Sequence, residues 1–120
     1  MSSSLIIDVK GDFPKYLKET KLPILADFWA PWCRPCVKLN PTIEALAGHF
    51  AGKLQILKLN VDENTETVEA YSIASIPTLL VFNAKGEQIQ TIRGKKTLRQ
   101  LIEALEILPI FYPTTEYKFK

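Results

Sequence analysis

The chain has 120 residues, of which 47% are hydrophobic, 23% charged and 10% aromatic, with a formal net charge of +2. That length suits one domain able to bury a core without cross-links, and two cysteines are too few for a disulfide-built secreted scaffold. The weak positive charge does not mark a nucleic-acid binder, and no apolar run approaches the roughly 18 residues of a membrane helix.

The opening MSSSLIIDVKGDF lacks a basic n-region, and its apolar run Leu5-Ile6-Ile7 ends at Asp8, which is not a secretion signal. A soluble, monomeric protein of the cytoplasm is expected. LIIDV (5–9) reads as a short strand. Asp12 is placed to cap a helix that carries Pro14 in its first turn and runs to about Thr20. PILADFW (23–29) has the mostly apolar composition of a strand buried on both faces. From Cys33 to Phe50, apolar residues at Cys36, Leu39, Ile43, Leu46, Ala47 and Phe50 follow helical spacing, and Pro41 should kink that helix. LQILKLNV (54–61) is another buried-type strand, interrupted by Lys58. Asn64 is placed to cap a short helix through Tyr71. TLLVF (78–82) and EQIQTI (87–92) flank the turn residues Asn83-Ala84-Lys85-Gly86 and read as a hairpin. Thr97 with Gln100 forms a capping box for a helix with Leu98, Leu101, Ile102, Leu105 and Leu108 on one face, stopped by Pro109.

The order β-α-β-α-β-α-β-β-α predicts an α/β domain over residues 1–108. Its sheet should be central and largely parallel, mixed by the antiparallel edge of the final hairpin, with helices on both faces. LPIFYPTTEYKFK (108–120) changes character, with two prolines and no period. Residues 109–120 are expected to form a C-terminal tail packed loosely on the body.

Every cysteine falls in FWAPWCRPCVKL (28–39). Cys33, Cys36 and His49 give part of a zinc-finger spacing, but no fourth soft ligand follows and a structural zinc site takes four, so no metal is expected. A structural staple closing so small a loop contributes only about 2 kcal/mol. A C-x-x-C that ends a buried strand and opens a helix inside a βαβ pattern is instead a redox signature. The first sulfur sits at a helix N-terminus, where free N–H groups and the helix dipole favour its thiolate, the attacking species in disulfide exchange. The second thiol lies one turn on, within reach of a mixed disulfide. Cys33 is therefore expected to be the nucleophile and Cys36 the resolving residue, with no cofactor beyond that pair.

The chain resembles the thioredoxin family along residues 5–108. The residues that carry the resemblance are Asp27-Phe28-Trp29-Ala30, Trp32-Cys33-Arg34-Pro35-Cys36, Pro41, Lys58, Ile76-Pro77-Thr78 and Gly94. It implies a protein-disulfide reductase whose partners are disulfide-containing proteins and a thioredoxin reductase that restores the dithiol. Pro77 would be the family's cis-proline, facing the cysteines and leaving the Ile76 backbone free to pair with an extended substrate. Gly94 would let a substrate backbone approach closely. Trp32 would wall the sulfurs, while Trp29, inside a strand, belongs to the core. Asp27, a carboxylate in a two-face-buried strand, should have a raised pKa. The resemblance gives it a part in proton transfer with Cys36, with Lys58 as its buried partner.

Arg34 departs from the family's usual glycine. A cation beside Cys33 stabilises the thiolate, so a potential more oxidising by tens of millivolts at most is expected. Pro35 directly before Cys36 argues against a disulfide oxidant or isomerase. A binding module with incidental redox chemistry would rest on the tail and on a basic rim formed by Arg34, Lys38, Arg93, Lys95 and Lys96. Val37 stands where a lysine is frequent. The acids Asp62, Glu63, Glu66 and Glu69 read as a solvated helix face.

Overall fold

In a computed structural model that describes residues 5–111, strands and helices alternate for most of the chain. The elements are β1 (Ile6–Val9), α1 (Phe13–Glu19), β2 (Ile24–Trp29), α2 (Arg34–His49), β3 (Gln55–Asn60), a 3-10 turn (Val61–Glu63), α3 (Thr65–Ala70), β4 (Thr78–Phe82), β5 (Gln88–Arg93) and α4 (Leu98–Glu106). The 3-10 turn is the one element the sequence pattern does not announce.

The strands form one five-stranded sheet in the order β1-β3-β2-β4-β5. β1, β3 and β2 run parallel, whereas β4 is antiparallel to β2 and β5 to β4. The antiparallel part thus begins one strand further inside the sheet than an edge hairpin requires. The connection through the six-residue α3 and residues 71–77 returns the chain to the edge of the sheet where β3 ends, and β4 starts there and runs back along β2.

Alternation along the strands divides the core into two layers. Leu25, Ile56, Leu79 and Val81 face α2 and α4, meeting Leu39, Ile43, Leu46, Leu101 and Leu105. Ile24, Ala26, Phe28, Leu57, Leu59, Leu80 and Phe82 face α1 and α3, where Phe13 and Tyr71 stack edge-on against Phe82. β2 and β4 lie between helices on both sides, which is why ILADF and TLLVF are buried throughout.

The ends of the helices are only partly as expected. α4 opens with the complete Thr97–Gln100 capping box. α2 runs through Pro41, whose ring removes one backbone hydrogen bond. Asp12 adopts a left-handed conformation and its side chain caps nothing. Asn64 does not cap α3 either. Its side chain is buried, accepting from Gly11 N (2.8 Å) and donating to Val9 O (2.8 Å) and Asn60 O (3.0 Å), so it ties the end of β1 to the end of β3. In the hairpin, the Asn83 side chain accepts from the Lys85 and Glu87 amides, and Gly86 takes φ +84°.

The expected tail begins at 109, yet Ile110 is buried in the α2/α4 layer and Phe111 stacks on Phe50 at 4.8 Å. The remaining tail residues, 112–120, lie outside the described residues.

Candidate active site

The strand directions bring four chain segments to one edge of the sheet. Phe28 pairs with Thr78, Thr78 with Arg93, and Trp29 with Asn60. The end of β2, the start of β4, the end of β5 and the end of β3 therefore meet, and the loops that follow or precede them form the site.

After β2 the chain turns at Ala30, whose carbonyl accepts from Cys33 N at 3.1 Å. Cys33 is the N-cap of α2, in extended conformation, and its sulfur accepts from Cys36 N at 3.3 Å. A sulfur thus takes the place that a serine or aspartate oxygen takes at other helix starts, satisfying one of the unpaired N–H groups there. Arg34 and Pro35 fill the first turn, where the missing N–H of proline costs nothing. Cys33 and Cys36 are joined as a disulfide with their Cα atoms 5.2 Å apart. Cys33 is 7% exposed and Cys36 only 1%. Both are buried, Cys36 more completely than Cys33.

Trp29, Val61 and Ile76 pack against the cysteine pair. Trp29 therefore serves the site as well as the core. Trp32, expected as the wall, is 67% exposed and held from the side, its Nε1 donating to Asp62 Oδ2 at 2.8 Å. Asp62 is in turn oriented by the Asn60 side chain, which accepts from its backbone N at 2.9 Å. The acidic stretch is thus more than a solvated helix face. Its first member fixes the tryptophan beside the cysteines.

The Ile76–Pro77 peptide is cis. The Ile76 carbonyl oxygen lies 3.9 Å from the Cys33 sulfur, and the Thr78 hydroxyl donates to Ser75 O at 2.6 Å. Gly94 N donates to Pro77 O at 2.9 Å, which sets the Gly94 loop against the proline. Gly94 has φ +84°, a backbone region that a side chain disfavours. A Cβ there would meet only the Lys96 ammonium, at 4.0 Å, so open space lies beside this glycine. Arg34, Lys38, Arg93 and Lys95 are exposed, and the Lys96 ammonium donates to Arg93 O at 2.9 Å.

Asp27 lies beneath this surface, 1% exposed, with its Oδ1 accepting no hydrogen bond from the described residues. Burial pushes its carboxyl up from the ordinary 3.8 to about 7, against a smaller lowering by the charge of Lys58. Lys58 is the register partner of Asp27 on the adjacent strand, but the expected buried ion pair is not made. Lys58 is half-buried, and its ammonium donates to Asn40 Oδ1 at 2.8 Å and sits 4.0 Å over the Trp29 ring. Asn40, on the inner side of α2 one turn beyond Cys36, carries no sequence motif that signals this contact.

His49 is at the far end of α2, roughly 20 Å of helix from the cysteines, exposed and edge-on to Phe50. It cannot join them around one ion. Among the described residues, no three histidine, cysteine, aspartate or glutamate side chains converge on a metal position.

This arrangement places one sulfur at a helix start, a second and more deeply buried sulfur a turn behind it, and a buried carboxyl on the strand that leads into them. It suits two-electron exchange between the cysteine pair and an external disulfide. Comparison with known proteins agrees. The Thioredoxin family model matches residues 4–107. The thioredoxin of Rickettsia conorii is 43% identical over 93 residues, covering 78% of this chain and 88% of that protein. The thioredoxin of Synechocystis sp. is 38% identical over 96 residues, covering 80% and 89% respectively. The thioredoxin of Porphyra purpurea is 37% identical over 105 residues, covering 85% and 95%.

Proposed function

The chain belongs to the thioredoxin family and is a thiol–disulfide oxidoreductase that reduces protein disulfides; from that premise we propose that Cys33 attacks, Cys36 resolves and Asp27 handles the proton. In the reduced protein, the Cys33 thiolate attacks one sulfur of a substrate disulfide. A Cys33–substrate disulfide forms and the first substrate thiolate leaves, taking a proton from solvent. The Asp27 carboxylate accepts the Cys36 proton, and the Cys36 thiolate attacks the Cys33 sulfur. The Cys33–Cys36 disulfide forms and the second substrate thiolate departs. The substrate gains two electrons and the cysteine pair loses two, and a thioredoxin reductase returns them.

The observation that carries this reading is the position of Cys33 at the α2 N-cap, its sulfur accepting the Cys36 N–H while Cys36 itself is shielded. An anion at that position gains from the same N–H groups and dipole. A carboxyl with a midpoint near 7 is poised to exchange protons at neutral pH in both directions.

An extended substrate segment is proposed to lie across Trp32, Ile76, Pro77 and Gly94, pairing with the Ile76 backbone and passing over the open side of Gly94. Lys58 lowers the Asp27 midpoint from the neighbouring strand, and Arg34 and Pro35 tune the pair from the first turn of α2. The chemistry is proposed to belong to one domain that includes Ile110, buried in the α2/α4 layer, and Phe111, stacked on Phe50. The protein is proposed to act as a cytoplasmic monomer in electron transport, needing no metal or other cofactor. Among the described residues, no helix is long and apolar enough to cross a membrane.

Alkylation of the reduced protein at pH 7 tests the assignment. Iodoacetamide should modify Cys33 at least tenfold faster than Cys36. Faster modification of Cys36 would reverse the roles.

A further inference from the structure

We propose that Asn40 is a positioning residue of the exchange site, which draws the Lys58 ammonium onto its own side-chain oxygen and so holds that cation away from the Asp27 carboxylate. The inference deepens the proposed function and rests on Asp27 being the proton acceptor for Cys36.

Three observations carry it. Asp27 and Lys58 are direct register partners on adjacent parallel strands, and both belong to the sheet face covered by α2, so an ion pair between them is within the reach of a lysine side chain. The ammonium nevertheless donates to Asn40 Oδ1 at 2.8 Å and lies 4.0 Å over the Trp29 ring, two contacts that fix it on the helix side of the layer. The Asp27 oxygen that a relocated ammonium would satisfy, Oδ1, is buried and accepts no hydrogen bond from the described residues. Asn40 is a neutral acceptor. It can hold the lysine without adding a charge of its own to the layer, which an aspartate there could not do.

The groups facing Asp27 are few. β3 contributes Lys58 and β4 presents Leu79 opposite Asp27, while α2 presents Leu39 and α4 presents Leu101 and Leu105 to the same layer. Lys58 is the charge that acts on the carboxyl, opposing the larger effect of burial. The distance of one ammonium therefore sets how readily the carboxyl holds its proton at neutral pH. The coulombic gain from closing such a pair by a couple of ångströms in a partly screened site corresponds to about tenfold in proton affinity, or about one pH unit.

The test follows the Asp27 carboxyl carbon by NMR through a pH titration of the oxidised protein, in the wild type, Asn40→Ala, Lys58→Met and the double variant. Asn40→Ala frees Lys58 to approach Asp27, and the midpoint should fall by about one pH unit. In the Lys58→Met background, Asn40→Ala should leave the midpoint where it is, because the cation it governs is gone. An unmoved midpoint in Asn40→Ala, or an equal fall in both backgrounds, overturns the inference. The pH profile of mixed-disulfide resolution, measured on the same variants, should move with the midpoint. A midpoint that falls while the resolution profile stays fixed upholds the placement of Lys58 by Asn40 and overturns Asp27 as the proton acceptor, so the two failures are distinguishable.

Discussion

Asp27 and Lys58 occupy facing register positions on β2 and β3, yet the lysine ammonium is bound to Asn40 at 2.8 Å and the aspartate Oδ1 is left without a hydrogen bond from the described residues. A carboxyl so placed is a stability cost when ionised. Its midpoint of about 7 lies above the ordinary 3.8. Between those values the folded protein holds a proton that the unfolded chain has released, so this group's contribution falls as pH rises from about 4 to about 7.

Replacing Asp27 by Asn should therefore stabilise the protein at pH 8, by an amount approaching roughly 4 kcal/mol at most, and change it little at pH 4. Urea denaturation at both values measures this. The same variant should slow resolution of the mixed disulfide and flatten its pH dependence near neutrality, giving higher stability with lower activity.

Most of the fold was legible in the sequence because its signals are local. The period of α2 and α4, the capping box at Thr97 and Gln100, and the buried composition of ILADF and TLLVF each sit in one short segment. The direction of β4 was not legible, since it depends on where the whole connection from β3, through α3 and residues 71–77, returns the chain to the sheet. Neither Asp12, which takes a left-handed conformation, nor Asn64 caps its helix with its side chain. Both residues suit a cap, but the Asn64 side chain finds partners on β1 and at the end of β3 that lie far off in sequence. Within the site, the cysteines and Pro77 declare themselves. Asn40 and Asp62 do not, because each is identified only by the side chain it meets across the layer, Lys58 and Trp32.

The Asp62–Trp32 contact joins two exposed residues, so its loss should cost stability little, on the order of 1 kcal/mol or less. Asp62→Ala is expected to keep Tm within a few degrees of wild type while raising KM for a disulfide substrate several-fold, as Trp32 loses its fixed orientation. A large fall in Tm with unchanged KM would assign Asp62 to the fold alone.

Arg34 is exposed in the first turn of α2, directly after Cys33. Its charge favours the Cys33 thiolate and hence the reduced form, but salt and solvent weaken it. Arg34→Gly should make the reduction potential more negative by about 10–30 mV at low ionic strength, with the difference shrinking in 0.5 M salt (about a 4 Å Debye length). A potential that stays equal or becomes less negative would contradict this role.

The exposed cations Arg93 and Lys95 flank Gly94, and Gly94 is hydrogen-bonded to Pro77 beside the cysteines. Such a rim should speed encounter with acidic substrates. A disulfide peptide rich in glutamate should be reduced faster than a lysine-rich one at low salt, and the preference should vanish at high salt. The double variant Arg93→Glu, Lys95→Glu should invert the preference, with a neutral peptide reduced at an unchanged rate.

Cys33 is 7% exposed and Cys36 1%, the difference behind their proposed roles as attacking and resolving thiol. Mass spectrometry of the protein after incubation with a disulfide-containing protein tests these roles most directly. Reduced Cys36→Ser should accumulate a one-to-one mixed disulfide through Cys33, and Cys33→Ser should accumulate none. A stable adduct through Cys36 in Cys33→Ser, formed as fast as the first, would contradict the assignment.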